Sequence, residues 1–175
     1  MNTILFGIKG CGKSFIGSAL AKRRGWPFID TDRLIEKAYE KSDHKRATCH
    51  EIYLDMGKDF FRSLEERVIH LLAAQHTVIA VGGGAMLNQK NVQALLKHGE
   101  LIYLYLTHDL LKMRVLSKTP LPSFIDSKDP EASFEALYEE RDAIYSKLPA
   151  LKIDMSQMTT ESILSEINKR TCYGK

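Results

Sequence analysis

Three features are scarce in this sequence of 175 residues: cysteine, long apolar runs and net charge. The cysteines, Cys11, Cys49 and Cys172, are odd in number and widely spaced, so they indicate neither a disulfide framework nor a zinc site. No apolar run reaches the length of a membrane span, and we therefore expect no membrane partner. The formal net charge is only +3 and is scattered. Nucleic-acid-binding domains concentrate their basic residues, so we expect no nucleic-acid partner.

Repeats, low-complexity tracts and linkers are absent as well, which predicts one domain over residues 1–175. The six histidines show no metal-ligand spacing, so solvated or packed histidine is expected at each position. Met1 leads almost directly into an apolar run, without the charged-then-apolar pattern of a signal peptide. Together with the few cysteines, this favours a reducing, cytoplasmic location, and we expect the protein to be a monomer.

The sequence is rich, by contrast, in short apolar runs that alternate with segments of helical periodicity. The apolar runs predict five strands, over residues 3–6, 26–29, 77–81, 101–106 and 151–153. The periodic segments predict seven helices, over residues 14–24, 31–41, 59–74, 88–97, 109–116, 131–147 and 161–169. The third helix carries its apolar stripe at Phe61, Leu64, Val68, Leu71 and Leu72. Such alternation is typical of an α/β fold in which helices cover both faces of a parallel sheet and ligands bind at the carboxyl ends of its strands.

The segment GIKGCGKS follows the first predicted strand and precedes the first predicted helix. Gly7, Gly12, Lys13 and Ser14 match the phosphate-binding pattern G-x-x-x-x-G-K-[ST]. Glycines bring backbone N–H groups against phosphate oxygens, lysine bridges the β- and γ-phosphates, and serine ligates Mg²⁺. The pattern predicts ATP and Mg²⁺ as ligands, with a glycine-rich turn that binds no nucleotide as the alternative. Cys11 is interpreted as a small tolerated residue, with an oxidation-sensitive thiol as the alternative.

Two carboxylates, Asp30 and Asp32, follow the second predicted strand. Helix capping is the alternative for Asp32, because aspartate often caps helices, but Asp30 has no comparable local explanation. Beside a magnesium–nucleotide complex, two carboxylates can take separate roles. One holds the metal ion, directly or through water, and the other holds the acceptor hydroxyl.

Two further clusters follow along the chain. Arg62 and Glu65 are spaced i and i+3 on a predicted helix, so one can orient the other; a surface ion pair of little value is the alternative. Gly82, Gly83 and Gly84 directly follow the third predicted strand. A turn needs one or two glycines, and ordering glycine costs entropy, so three glycines predict that something packs against the bare backbone.

Residues 117–133, SKTPLPSFIDSKDPEAS, interrupt the alternation with three of the five prolines and no periodic pattern. A surface loop and a mobile lid are equally compatible with the segment alone. Because long loops in compact domains are often lids, its occurrence beside a phosphate loop favours the lid.

In this order and at these spacings, four motifs resemble those of the shikimate kinases: GIKGCGKS, DTD at residues 30–32, FR at residues 61–62 and GGG at residues 82–84. The resemblance covers nearly the whole chain. It implies a P-loop NTPase fold of the nucleoside-monophosphate-kinase type, with five parallel strands in the order 2-3-1-4-5. It also implies transfer of the ATP γ-phosphate to the 3-hydroxyl of shikimate, in aromatic amino-acid biosynthesis. The acceptor-binding segment would span about residues 31–62 and the lid about residues 115–131.

The resemblance assigns roles to individual residues of this chain. Lys13 and Asp32 would be catalytic, with Asp32 binding shikimate hydroxyls and acting as base, and Asp30 would hold Mg²⁺ through water. The nucleotide would bind to Gly7, Gly10, Cys11, Gly12, Lys13, Ser14, Phe15 and Arg114, the last lying over adenine. Shikimate would bind to Asp32, Tyr53, Phe61, Arg62, Gly82, Gly83, Gly84 and Arg141, with the two arginines pairing with its carboxylate. Without the resemblance, Arg114 and Arg141 would be interpreted as exposed helix charges.

The chain departs from the family in the lid, where the family carries an arginine in an R-P-L-L pattern. Thr119 occupies that position in the sequence TPLP, and no arginine lies between Arg114 and Arg141. A supplied arginine accelerates phosphoryl transfer by orders of magnitude. We hypothesise that the adjacent Lys118 substitutes for it as a catalytic residue, with Lys128 as a more distant candidate.

Two other functions are compatible with these motifs. One is a related small hydroxy-acid or gluconate-type kinase, since the two arginines and the glycines argue against a nucleotide acceptor without excluding another hydroxy acid. The other is a non-catalytic nucleotide-binding relic with a decayed lid. The intact charged positions count against the relic, because drift would not spare all of them.

Overall fold

A five-stranded parallel sheet lies at the centre of the computed structural model, which describes residues 1–43 and 45–171. The strands are β1 (Asn2–Phe6), β2 (Phe28–Asp30), β3 (Val78–Ala80), β4 (Gly99–Tyr105) and β5 (Leu151–Asp154). All four pairings are parallel, and the order across the sheet is β2-β3-β1-β4-β5. The predicted strands and their order are confirmed, with small shifts at the ends.

Among the described residues, seven helices and one short 3-10 helix connect the strands and cover both faces of the sheet. The helices are α1 (Lys13–Arg24), α2 (Thr31–Asp43), α3 (Cys49–His70), α4 (Gln89–His98), α5 (His108–Leu116), α6 (Pro130–Tyr145) and α7 (Thr160–Arg170). The 3-10 helix spans Ala85–Leu87. Six of the predicted helices match to within a few residues. The non-helical part of the predicted lid spans residues 117–129, between α5 and α6, and is called the lid segment below.

Helix α3 differs from its prediction over residues 59–74. It begins at Cys49, where Thr48 accepts a hydrogen bond from the Glu51 backbone and Glu51 reaches back to the Thr48 backbone, a capping box. It ends at His70, which leaves Leu71 exposed, so the placement of Leu71 in the apolar stripe was wrong. The first part of α3, before the kink at Gly57 (φ 83°), shows little helical periodicity because most of its side chains do not face the core.

The core has two parts, and they carry different parts of the site. The main core surrounds the sheet, with Ile4, Leu5, Ile79 and Leu104 fully buried. A smaller core joins α2 to α3 through Ile35, Tyr39, Ile52, Phe61, Leu64 and Val68. Full burial of one such aliphatic side chain contributes roughly 1.5–3 kcal/mol. The smaller core therefore holds the two helices of the predicted acceptor-binding segment together.

Two features that are scarce in the sequence, long apolar segments and cysteines, can be followed in the structure. Within residues 1–43 and 45–171, no helix combines the length and the apolar character needed to cross a membrane. Cys11 is buried, Cys49 is half-buried, and both carry free thiols. Cys172 lies outside the described residues.

Candidate active site

The phosphate loop joins the carboxyl end of β1 to the start of α1. Gly12 precedes the helix with φ 104°, a left-handed conformation that favours glycine. In the described part of the chain, no side chain caps α1, and its first turn contains no acidic residue. The first N–H groups of the helix and the positive end of its dipole are therefore directed to an external anion, as in phosphate-binding loops.

Close packing explains why the loop is rich in glycine. A Cβ on Gly7 would overlap the carbonyl oxygen of Leu104, and a Cβ on Gly10 would lie 2.7 Å from a methyl group of Val115. The loop is thus fixed between the end of β4 and helix α5. Lys13 is 8% exposed, so its ammonium is largely removed from bulk water beside the loop.

The two residues predicted to hold the metal ion lie in direct contact. Ser14 Oγ donates a hydrogen bond to Asp30 Oδ2 at 2.7 Å. Asp30 Oδ1 also accepts a hydrogen bond from the backbone N–H of Asp32 at 3.0 Å and so caps the start of α2. The interpretation that Asp30 has no local structural role was wrong. Asp32 lies in the first turn of α2 rather than at its cap.

The oxygen donors at this point fit magnesium. Mg²⁺ prefers oxygen ligands and usually binds through one or two protein groups, together with water and substrate phosphates. Ser14 and Asp30 provide that number of groups beside the phosphate loop. No group of three or more histidine, cysteine or acidic side chains suited to a metal ion occurs among the described residues.

A cavity of about 360 Å³ opens beside the phosphate loop and is called the acceptor cavity below. It brings together every residue predicted to bind the acceptor: Asp32, Tyr53, Phe61, Arg62, Gly82, Gly83, Gly84 and Arg141. The rings of Tyr53 and Phe61 contact each other edge to face, with centroids 5.8 Å apart. The lining also includes Glu65, predicted to orient Arg62, and residues that the sequence interpretation did not select for this site: Lys9, Cys49, His50, Leu54, Ser123, Phe124 and Leu137.

The three glycines after β3 face charged side chains of the acceptor cavity. A Cβ on Gly82 would lie 2.5 Å from Asp32 Oδ1, and one on Gly84 would lie 2.8 Å from Arg62 Nη1. A Cβ on Gly83 would lie 3.2 Å from Arg141 Nη1. The prediction that something packs against bare backbone is confirmed, because each glycine gives room to one functional side chain.

Arg62 and Glu65 form a pair that is largely removed from solvent. Arg62 Nη1 lies 2.6 Å from Glu65 Oε2, and the Glu65 side chain is 2% exposed. Burial raises the pKa of Glu65, although Arg62 acts in the opposite direction. The alternative of a surface ion pair was wrong, and Glu65 holds the Arg62 guanidinium against the wall of the cavity.

Arg141 is the guanidinium of the acceptor cavity that is open to a ligand. Its Nε and Nη1 atoms are buried and have no hydrogen-bond partner among the described residues. Burial lowers the pKa of Arg141 from its ordinary value, because desolvation disfavours the charged form. Such a group is stabilised when an anion enters the cavity, so Arg141 is not a solvated helix charge.

Asp32 lies at the junction of the acceptor cavity and the phosphate loop. Burial and the neighbouring Asp30 raise the pKa of Asp32, while Lys9 and Lys13 act to lower it. The net shift is upward, which makes the carboxylate a better proton acceptor than an exposed aspartate.

A second cavity, of about 170 Å³, lies on the other side of the phosphate loop. It is lined by Cys11, Gly12, Phe15 and Arg114, as predicted for the nucleotide, and also by Leu106, Met155 and Met158. Arg114 is exposed, and its Nη1 donates a hydrogen bond to the carbonyl oxygen of Cys11 at 3.2 Å. The sequence interpretation missed Leu106 and Met155, although both directly follow strands, where ligands of a parallel sheet bind.

The family model for shikimate kinase matches residues 9–171 of this chain. The chain belongs to the shikimate kinase family. Its curated relatives include the shikimate kinases of Rippkaea orientalis, 37% identical over 95% of this chain and 86% of that protein, and of Caldanaerobacter subterraneus, 35% identical over 95% and 93%. The structure of the Acinetobacter baumannii shikimate kinase in complex with shikimate superposes with a TM-score of 0.82. That comparison covers 96% of this chain and 90% of the other at 28% identity.

Membership of the shikimate kinase family establishes the class of activity. Shikimate kinases are ATP-dependent phosphotransferases that act on shikimate, so this chain is an enzyme of that class. The fold, with its phosphate loop and the 2-3-1-4-5 strand order, is the P-loop fold that the motifs implied.

The lid segment carries its polar and basic candidates at the surface. Thr119, which the motif comparison predicts at the position of the family's arginine, is exposed, and so are Lys118 and Lys128. Of the lid segment, Ser123 and Phe124 line the acceptor cavity, whereas Lys118 lines neither cavity among the described residues. The structure therefore brings every predicted site residue except Lys118 to the phosphate loop or to one of the two cavities beside it.

Proposed function

We propose that this shikimate kinase transfers the γ-phosphate of ATP to the 3-hydroxyl of shikimate, acting as a cytoplasmic monomer with one domain over residues 1–175. The observation that carries the proposal is the pairing of an open guanidinium, Arg141, with a carboxylate, Asp32, in one small cavity beside the phosphate loop. A hydroxylated carboxylic acid of the size of shikimate needs both groups. Volumes of this order are typical of small-molecule sites.

On the donor side, the phosphates bind to the backbone N–H groups of the phosphate loop and to Lys13. Ser14 and Asp30 would hold Mg²⁺, which neutralises phosphate charge when it is bound. Phe15 and Arg114 border the cavity proposed for the adenine ring. The phosphate-binding part of the donor side depends on main-chain groups and on side chains adjacent in sequence, whereas Asp30 and Arg114 come from other elements.

On the acceptor side, Arg141 and Arg62 bind the carboxylate, since guanidinium groups match its planar geometry. Glu65 fixes Arg62, and the glycines of residues 82–84 allow the ring of the acceptor to approach the backbone. Asp32 orients the 3-hydroxyl in line with the γ-phosphate and accepts its proton as the new bond forms.

The test of this proposal measures ADP release in Mg²⁺ with shikimate, with other hydroxy acids such as gluconate, and without an acceptor. We expect release to depend on shikimate and to be at least about tenfold slower with other acceptors. Release that is independent of shikimate, or faster with gluconate, would overturn the acceptor assignment. No release with any acceptor, while ATP still binds, would point to the non-catalytic alternative.

The role of Asp32 is tested by the isosteric change Asp32→Asn. We expect turnover to fall by roughly 10²–10⁴-fold while ATP affinity stays unchanged, because Asp32 contacts the acceptor rather than the nucleotide. Asp59→Asn, an exposed aspartate of α3, is the matched control. Because the pKa of Asp32 is raised, wild-type kcat/KM should fall with decreasing pH at a higher pH than the ordinary aspartate value. Retained turnover in Asp32→Asn would contradict the role.

A further inference from the structure

Lys9 belongs to the phosphate loop, but its side chain faces the acceptor cavity. It is the third residue of GIKGCGKS and lines this cavity together with Asp32 and Arg141. Its Cβ and backbone nitrogen lie 3.0 and 3.4 Å from the position that a Cβ on Gly83 would occupy. The side chain thus extends from the element that binds the donor into the space that receives the acceptor.

Lys9 has no salt-bridge partner among the described residues. Arg62 is paired with Glu65 at 2.6 Å, whereas Lys9 forms no salt bridge in the part of the chain that the structure describes. Its Nζ lies 5.1 Å from the ring centroid of Phe124. This cation–π contact holds the ammonium beside the lid segment but leaves its charge available to an anion.

Two anionic groups meet in this cavity under the proposed function: the acceptor carboxylate and the phosphoryl group in transfer. Arg141 suits the carboxylate, because a guanidinium matches a planar anion through two hydrogen bonds. The ammonium of Lys9 is a compact point charge, of the kind that binds phosphate, and is attached to the loop that holds the phosphates. Its position therefore corresponds to the phosphoryl group rather than to the carboxylate.

The lid segment supplies no competing cation in the structure. Ser123 and Phe124, which line the acceptor cavity, are uncharged. Lys118 and Lys128 are exposed, and neither lines the acceptor cavity within the described residues. A cation for the acceptor side of the phosphoryl group must then come from another element, and Lys9 is placed to provide it.

We propose that Lys9 supplies the positive charge that stabilises the transferred phosphoryl group on its acceptor side, in place of a lid arginine. The inference rests on the proposed transfer to shikimate. In that step the 3-hydroxyl oxygen forms a bond to the γ-phosphorus, and the hydroxyl proton passes to Asp32. The bond from the γ-phosphorus to the bridging oxygen breaks, and its electron pair leaves with ADP. Lys9 forms no covalent bond in this step and acts by its charge alone.

The test compares Lys9→Met, which keeps the aliphatic stem, with Lys9→Arg, which keeps the charge. We expect Lys9→Met to lower kcat by roughly 10²–10³-fold, while the dissociation constants of ATP and shikimate, measured by calorimetry, change by less than about threefold. Lys9→Arg should retain kcat within about tenfold of the wild type. Lys97→Met, at an exposed position in the last turn of α4, is the matched control and should keep the wild-type kcat.

A second measurement does not depend on turnover. ADP with aluminium fluoride mimics the phosphoryl group in transfer, so the wild type should bind this complex together with shikimate more tightly than it binds ADP and shikimate. We expect Lys9→Met to lose most of that difference, because the charge acts in the transition state rather than in the ground state.

Three results would overturn the inference. One is a kcat of Lys9→Met within about threefold of the wild type. Another is a larger dissociation constant for shikimate in Lys9→Met with an unchanged kcat, which would assign Lys9 to the carboxylate. The third is a larger loss of kcat in Lys118→Met than in Lys9→Met, which would assign the missing charge to the lid segment. A wild type that releases no ADP with shikimate would instead contradict the proposed function itself.

Discussion

The donor and acceptor sides of this active site are built in different ways. The proposed donor side is centred on one continuous segment, from Gly7 to Ser14, in which the expected phosphate-binding groups are mostly backbone N–H groups at the start of α1. Only a few side chains, such as Asp30 of β2 and Arg114 of α5, join it from elsewhere. The acceptor side is assembled from α2, α3, α6 and the turn after β3, and its binding groups are side chains. A phosphate can thus be bound by local chain geometry, whereas a specific hydroxy acid needs charged groups gathered from distant parts of the sequence.

The two sides also differ in what holds them in place. Close backbone packing fixes the phosphate loop, as at Gly7 and Gly10. The acceptor side depends on polar contacts, such as the Arg62–Glu65 pair and the hydrogen bond that the Tyr145 hydroxyl donates to the carbonyl oxygen of Gly83 at 2.6 Å. Because leaving a buried polar group without its partner is costly, conservative substitutions should impair binding more on the acceptor side than on the donor side.

The largest expected effect concerns the donor side. Lys13→Met removes the charge that binds the β- and γ-phosphates, and we expect kcat to fall by roughly 10³-fold or more, with weaker ATP binding. The dissociation constant of shikimate should change little if the two sides are independent. Lys22→Met, an exposed position at the other end of α1, is the matched control. If Lys13→Met weakened shikimate binding as much as it weakened ATP binding, the two sides could not be treated as independent.

The next largest effect should fall on the acceptor side alone. Glu65→Gln keeps the shape of the side chain but leaves the Arg62 charge without its partner, so we expect the KM for shikimate to rise by roughly 10–30-fold. The KM for ATP should remain unchanged. Glu66→Gln is a close control, because the neighbouring Glu66 pairs with exposed Lys90 at 3.5 Å. Equal effects of the two changes would contradict the buried role of Glu65.

The lid segment connects the two sides, and a smaller effect is expected there. Ile125 is 6% exposed and anchors the lid segment in the main core. Ile125→Val should cost about 1 kcal/mol of unfolding free energy and lower Tm by about 3 °C. Ile163→Val in α7, at a similarly buried position, should cost about the same, and only Ile125→Val should also change kcat. Unchanged kcat in both variants would show that the anchoring of the lid does not affect transfer.

The smallest effect concerns the contact between α5 and α6, the two helices that flank the lid segment. His108, at the start of α5, contacts Asp109 at 2.9 Å and Glu135 of α6 at 2.7 Å, and these hydrogen bonds raise its pKa above 6.5. The stabilisation is fully present below pH 6.5 and is lost as the pH rises through the raised value. The Tm advantage over His108→Gln should thus be about 1 °C larger at pH 6 than at pH 9. A Tm difference between the wild type and His108→Gln that is the same at pH 6 and pH 9 would contradict the ion pair.

Several site residues could be predicted because their signals are local. The phosphate loop is a contiguous pattern, and the carboxylates and glycines directly follow strands, where a parallel sheet binds its ligands. The first part of α3 was missed, because side chains that line a cavity show no core-facing periodicity. Asp30 was interpreted without its capping contact, which depends on where α2 begins.

The sequence by itself determined the α/β class, through its periodicity, and the phosphate loop, through the spacing of its residues. The strand order and half of the residues that line the acceptor cavity were implied by the resemblance to the shikimate kinases. The tertiary structure decided which charges are paired. Arg62 is held by Glu65, two nitrogen atoms of Arg141 have no partner among the described residues, and Lys9 lines the acceptor cavity. Burial and pairing depend on residues that lie far apart in sequence, so no local pattern could have distinguished these three cations.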